Sequence, residues 1–200
     1  ASEGKSFTSI TLCRKLAERG KRVVLVDTDL RRSMITTVYG VQFAPGSKKQ
    51  GLSHYLAGIA EKEEVLFHTN VPSMDFIPMG HELLNPIPLL SSERFQNLLD
   101  GLAEQYDYVI VDAAPVGVVI DAAEIAKVCD GILLVVSYNQ VHRQELIDAK
   151  NQLEQTGCPI LGTILNQVDY EGFANKKYYY KSHYSSYYKA YEKEAEEKKS

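Results

Sequence analysis

Five residues of this chain could do chemistry together by type and placing. Asp27 and Asp29 close the run Arg22-Val23-Val24-Leu25-Val26-Asp27-Thr28-Asp29-Leu30-Arg31-Arg32, Asp112 closes Tyr108-Val109-Ile110-Val111-Asp112, and Lys5 and Ser6 stand in Gly4-Lys5-Ser6. A short Val/Leu run bounded by charge reads as a parallel strand buried on both faces. The carboxyl end of such a strand opens into the crevice where α/β sheets take ligands. Acids delivered there can hold a cation or accept a proton. Gly-Lys-Ser opening a helix matches the second half of a phosphate-binding loop, whose backbone N–H groups and helix N-terminus hold phosphate oxygens. Lys5 then reaches the terminal phosphates, and the Ser6 hydroxyl ligates magnesium. The first glycine of GxxxxGK[ST] and its preceding strand fall ahead of residue 1, so taken alone the tripeptide also fits a chance loop at a helix start. Asp112 completes a Walker B pattern and is placed to hold magnesium directly or through water.

The elements that must position these residues follow from periodicity. An amphipathic pattern through Phe7, Ile10, Leu12, Leu16 and Ala17 stops at Gly20 and predicts a helix leading into a strand at 22–27. Residues 33–50 read as a short helical piece and a loop. Gly51 to Gly58 and Glu61 to His68 read as two short helices, 74–78 as a strand and Gly80 to Pro88 as a loop. Ser91 or Ser92 caps a helix bearing Phe95, Leu98, Leu99 and Leu102. Strands are predicted at 106–112, 132–136 and 160–166, with helices from Asp121 through Ala126 and over 143–156. Asp121 reads equally as a helix cap and as a further acid. Strands alternating with helices predict a doubly wound, mainly parallel sheet of the P-loop NTPase type, with helices on both faces. Asn166 ends the last strand, where its amide could read a purine base or simply open a loop.

Composition sets bounds. Two hundred residues with 44% hydrophobic and 24% charged character describe an ordinary globular chain. A net charge of −4 gives no reason to expect a nucleic-acid partner. Cys13, Cys129 and Cys158 form no CxxC pair, and the five histidines show no ligand spacing. No apolar run approaches the roughly 18–20 residues of a membrane span, so a membrane link is expected through a partner or through sequence not shown.

The composition changes after Asp169. Seven of the thirteen tyrosines, Tyr178, Tyr179, Tyr180, Tyr184, Tyr187, Tyr188 and Tyr191, crowd a Lys- and Ser-rich stretch almost without aliphatic residues. The reading is therefore a domain over 1–169 and a tyrosine-rich tail over 170–200, expected to be mobile. At about 3.3–3.6 Å per residue, the stretch from Gly172 to Tyr191 extends roughly 60–70 Å, enough to reach a neighbouring subunit.

Together, Gly4-Lys5-Ser6, the Asp27-Thr-Asp29-x-Arg31-Arg32 run, the Tyr-Asp-Tyr-Val-Ile-Val-Asp112-Ala-Ala-Pro stretch, Ile77-Pro78-x-Gly80, Asn85-Pro86-x-x-Leu89-Leu90-Ser91-Ser92 and the tyrosine-rich end resemble the bacterial tyrosine kinases of capsule and exopolysaccharide export. The resemblance implies Walker A, A′ and B motifs and ATP with Mg²⁺. It implies autophosphorylation on the tyrosine cluster, in trans within a homo-oligomeric ring, and a membrane-spanning activator, fused or separate. It also implies a partner tyrosine phosphatase and a cytoplasmic place at the inner face of the plasma membrane. The nucleotide contacts it implies are Glu3, Gly4, Lys5, Ser6, Phe7 and Asn166, and the metal ligands are Ser6, Asp29 and Asp112. The catalytic set is Lys5, Asp27, Asp29 and Asp112. Ala1-Ser2 departs from the Pro-Gly frequent in that family.

A tyrosine hydroxyl, with a pKa near ~10, needs a proton acceptor at neutral pH. Asp27 is assigned that role and Asp29 the metal shell, although a turn at Thr28 could exchange them. Two rivals remain: a partition- or septum-type P-loop ATPase, and an adaptor with a weak nucleotide site and a tyrosine-rich binding tail.

Overall fold

Every residue of Val23-Val24-Leu25-Val26-Asp27 is buried, which β-branched and leucine side chains achieve only in a strand covered on both faces. The computed structural model describes residues 3–38, 41–43, 46, 48–115 and 120–168. The predicted tail at 170–200 and its tyrosines lie outside the described residues.

In chain order the elements are α1 (Lys5–Glu18), β1 (Val23–Asp27), α2 (Ile35–Val38), α3 (Leu52–Leu56), α4 (Lys62–Val65), β2 (Phe67–His68), β3 (Met74–Ile77) and α5 (Ile87–Leu90). Then come α6 (Glu93–Ala103), β4 (Tyr108–Asp112), α7 (Asp121–Ala126), β5 (Ile132–Ser137), α8 (Arg143–Glu154) and β6 (Ile160–Asn166). β1 is central: it pairs in parallel with β3 on one side and with β4 on the other, and β2 adds an antiparallel edge to β3. β5 and β6 form a separate parallel pair.

Alternation along β1 builds two cores. Val24 and Val26 pack with Leu30, Phe95, Leu98 and Leu102 on the α6 side. Val23 and Leu25 pack with Cys13, Ala17, Met74 and Phe76 on the α1 side. Ser92 caps α6, its hydroxyl accepting from Phe95 N–H at 3.3 Å.

Three expectations change. The predicted helix over 61–68 breaks after Val65, because Phe67 and His68 gain ladder bonds to Phe76 and Asp75 that a second helical turn could not supply. A short helix, α5, starts inside what read as the end of a proline-punctuated loop: Pro86, fixed in φ, opens it and Leu90 buries. The strands fall into two hydrogen-bonded groups among the described residues, since apolar runs mark strands without naming their neighbours. Correspondingly β6 alternates half-buried and exposed, with Leu161 and Leu165 open.

Leu98→Ala empties the centre of the α6 core and is expected to cost about 2–5 kcal/mol. Leu84→Ala, at a side chain 99% exposed, should stay within about 0.5 kcal/mol. Urea midpoints at unchanged slope check both.

Candidate nucleotide and metal site

Parallel pairing puts the carboxyl ends of β1 and β4 at the same edge, with Asp27 directly opposite Asp112 in register. Beyond the last pair, Thr28 continues the tie: its N–H and its hydroxyl both donate to the Asp112 carbonyl, at 2.9 and 2.7 Å. The two acids are thus held at one level, both almost fully buried.

Helix α1 begins beside them. Gly4 precedes it at φ +81°, and a Cβ there would lie 2.1 Å from Asn166 Nδ2, so both conformation and space require glycine. No side chain caps the first turn, which leaves helix N–H groups available to an anion. From the first turn the Ser6 hydroxyl donates to Asp112 Oδ2 at 2.6 Å, and one turn later Ser9 donates to Oδ1 at 2.8 Å. Lys5 Nζ pairs with Glu3 Oε2 at 2.5 Å. Burial pushes the Glu3 carboxyl up, yet the lysine's hydrogen bond and charge outweigh it and leave Glu3 below the usual carboxylate range. Asn166 Nδ2 donates to the Glu3 carbonyl at 2.9 Å, tying the loop to the end of β6. Phe7 is more than half exposed.

The acid loop is ordered by its own side chains. Asp27 Oδ2 accepts the Ser33 hydroxyl and Oδ1 accepts the Asp29 N–H at 3.3 Å. Ser33 Oγ accepts from Ile35 N–H at 3.1 Å, which aims its proton at Asp27. Asp29 Oδ1 accepts Arg32 N–H at 3.1 Å and stays partly exposed. Burial lifts the Asp27 carboxyl to about 7 against the Ser33 hydrogen bond, and the neighbouring Asp112 charge adds to the rise. Burial also raises Asp112, opposed by its Ser6 and Ser9 donors and by Lys5.

Asp27 and Asp112 are buried side by side, and Lys5, whose charge reaches Asp112, is already paired with Glu3, so a cation would offset the acids' charge. Among the described residues no three His, Cys, Asp or Glu side chains form a metal cage. A hydroxyl with few carboxylates suits magnesium, which keeps waters and takes phosphate oxygens, better than zinc. The uncapped α1 N-terminus beside Lys5 suits the phosphates.

Asp27, Asp29 and Asp112 thus stand where β1 and β4 end, Ser6 bonds to Asp112, and Glu3, Gly4, Lys5 and Asn166 are linked around the start of α1, while Phe7 stands exposed on that helix. Asp121 does not cap α7; Ile120 occupies that place, and Asp121 instead takes a forked bond from Arg31. Ser9, Ser33 and Thr28 escaped the sequence reading. Ser9 had a usable signal, being three residues after Ser6 on the same helix face.

The AAA-domain family model matches residues 2–157. Tyrosine-protein kinase CpsD of Streptococcus agalactiae is 40% identical over 167 residues, 84% of this chain and 70% of that protein. The chain belongs to the bacterial tyrosine kinase family. A tyrosine-protein kinase of Acinetobacter johnsonii is 37% identical over 82% of this chain but only 22% of its own length, so this domain also occurs within a much larger protein. The solved kinase domain of Escherichia coli tyrosine kinase ETK superposes with a TM-score of 0.77 at 35% identity, over 84% of this chain. The chain spans 64% of that domain.

Gly4→Ala is expected to destabilise the protein measurably in urea. Adding Asn166→Ala removes the clash, yet the double variant should remain at least about 1–2 kcal/mol below wild type, because the left-handed backbone stays disfavoured for alanine.

Proposed function

We propose that this chain is an ATP- and Mg²⁺-dependent protein tyrosine autokinase acting on its own tyrosine cluster, Tyr178 to Tyr191, in trans between copies. The observation that carries the reading is the joint grip of Ser6 and Ser9 on Asp112, opposite Asp27 and beside an uncapped helix N-terminus. When bound, magnesium supplies positive charge against that gathering on the transferred phosphoryl group.

The chain's residues would do the rest. The amides at the start of α1 and Lys5 hold phosphate oxygens, Lys5 exchanging Glu3 for them. Ser6 and Asp112 hold the cation, with Asp29 supporting its water shell. Asp27 accepts the tyrosine proton, its carboxylate steered by Ser33. One observation favours the reverse assignment of the two A′ acids: Asp27 is wholly buried whereas Asp29 is partly exposed at the mouth. Separate Asp27→Ala and Asp29→Ala variants distinguish them, since loss of the metal-shell acid raises the Mg²⁺ concentration needed for activity and loss of the proton acceptor lowers turnover at saturating Mg²⁺.

On the same reading the kinase works in a homo-oligomeric ring beside a membrane-spanning activator, at the cytoplasmic face of the plasma membrane. A tyrosine phosphatase resets it, and capsule or exopolysaccharide synthesis is the process regulated. No helix among the described residues is long and apolar enough to cross a membrane, so the activator, or sequence beyond this chain, would supply the anchor.

Incubation of the protein with Mg-ATP should give a strong anti-phosphotyrosine signal. That signal should vanish with EDTA, in Lys5→Met and in Asp27→Ala; a blank for folded wild type would favour the adaptor reading instead. Seven phosphates at about −1.5 to −2 each would add roughly −10 to −14 charges, enough to repel the tail from an acid-lined site. Native mass measurement should therefore show the oligomer loosening when phosphorylated and re-forming after phosphatase treatment, and an oligomer indifferent to both would sink the cycle.

A further inference from the structure

β1 ends on Asp27, and the loop that follows carries Asp29, with no strand ladder to hold it past Thr28. Hydrogen bonds from Leu30 and Arg31 reach from it to other segments. The Leu30 carbonyl accepts Leu83 N–H at 2.7 Å, and Arg31 forks onto a buried acid. Arg31 Nε–H donates to Asp121 Oδ2 at 2.6 Å and Nη2–H to Oδ1 at 3.0 Å, while Nη1–H donates to the Leu84 carbonyl at 2.9 Å. Asp121 is 1% exposed. The guanidinium thus joins three separate parts of the chain: the acid loop, the 83–84 turn and the first residue of α7.

Net stability is a poor reason for such a pair. Asp121 is out of water while the Arg31 side chain is 31% exposed; burying the carboxylate cancels much of what the attraction returns, so apolar residues in their place serve stability about as well. Geometry is what a fork provides that apolar packing does not: two parallel bonds fix direction as well as distance, and an ammonium cannot make both. Arg31 sits two residues from Asp29, whose own carboxylate is tied to the Arg32 amide next door. Holding the Arg31 side chain therefore sets how the Asp29 segment leaves the sheet, and through the Asp29 N–H bond to Asp27 Oδ1 it also sets the buried acid.

We propose that Arg31 and Asp121 are positioning residues, whose forked bond fixes the Asp27–Asp29 loop in the arrangement that phosphoryl transfer needs. The catalytic part of this inference rests on the kinase reading above; the structural part does not. It assigns Asp121 a task that its place at the start of α7 conceals.

The test uses the full chain and compares wild type, Arg31→Lys and the double variant Arg31→Met/Asp121→Leu. The double variant replaces the pair by apolar groups and leaves no buried charge behind, so it should melt close to wild type. Its amide exchange over residues 29–33 should nevertheless speed up by about tenfold or more, with the rest of the sheet protected. Turnover should fall on the order of 10²-fold, the scale of a small misplacement of reacting groups, while KM for ATP stays within about twofold because the α1 loop is untouched. Arg31→Lys, which keeps charge but loses the fork, should lose turnover as well. A double variant with wild-type exchange over 29–33, or an active Arg31→Lys, would overturn the proposal. A wild type that forms no phosphotyrosine removes the kinase reading alone, and the exchange measurement still decides whether the bridge fixes the loop.

Discussion

The carboxylate of Asp112 is the junction on which the rest of this structure depends. Its two oxygens take hydroxyl donors from successive turns of α1, and its carbonyl takes two donors from Thr28 at the end of β1. One residue thereby fixes the start of a helix and the ends of two neighbouring strands relative to each other. Hydrogen bonds to a charged, buried acceptor are among the stronger ones a protein makes, and a buried carboxylate without them would be costly. The same bonds that satisfy Asp112 aim the Ser6 hydroxyl and the α1 N-terminus toward the acids.

That junction comes with electrostatic tension. Asp27 and Asp112 face each other across adjacent strands; burial makes each resist ionising, and a neighbouring acid adds to it, Asp112 for Asp27 and Asp29 for Asp112. Ser33, Ser6, Ser9 and backbone amides soften the tension without removing it. Such a cluster is a poor way to stabilise a fold and a good way to prepare for a cation, whose charge relieves it. Stability comes from elsewhere, from the two apolar layers that cover the faces of β1. The division of labour is spatial: alternating Val and Leu side chains feed the cores, and the polar work begins where the strand ends.

Much of this was legible beforehand. The apolar runs at 22–27 and 108–112 announced parallel strands ending in aspartate, because period is a local property; the first is buried throughout, whereas the second is covered fully only at Asp112. The helix from Lys5 and the glycine before it were equally plain. Phe67-His68 as a strand was not, since a two-residue edge exists only through its partner Phe76-Asp75. Nor was the separation of β5 and β6 from the other strands, which is a matter of neighbours.

The sequence by itself determined that aspartates close two apolar strands, that glycine-lysine-serine opens a helix and that tyrosines crowd the far end. Only the tertiary structure decided who holds whom: Ser9 on Asp112, Ser33 on Asp27, Asn166 on the Glu3 carbonyl and Arg31 on Asp121, pairs separated by 103, 6, 163 and 90 positions. Side-chain type and spacing along one element follow from local backbone geometry. A hydrogen bond between distant segments depends on how strands order themselves and where helices dock, which is settled by packing over the whole domain.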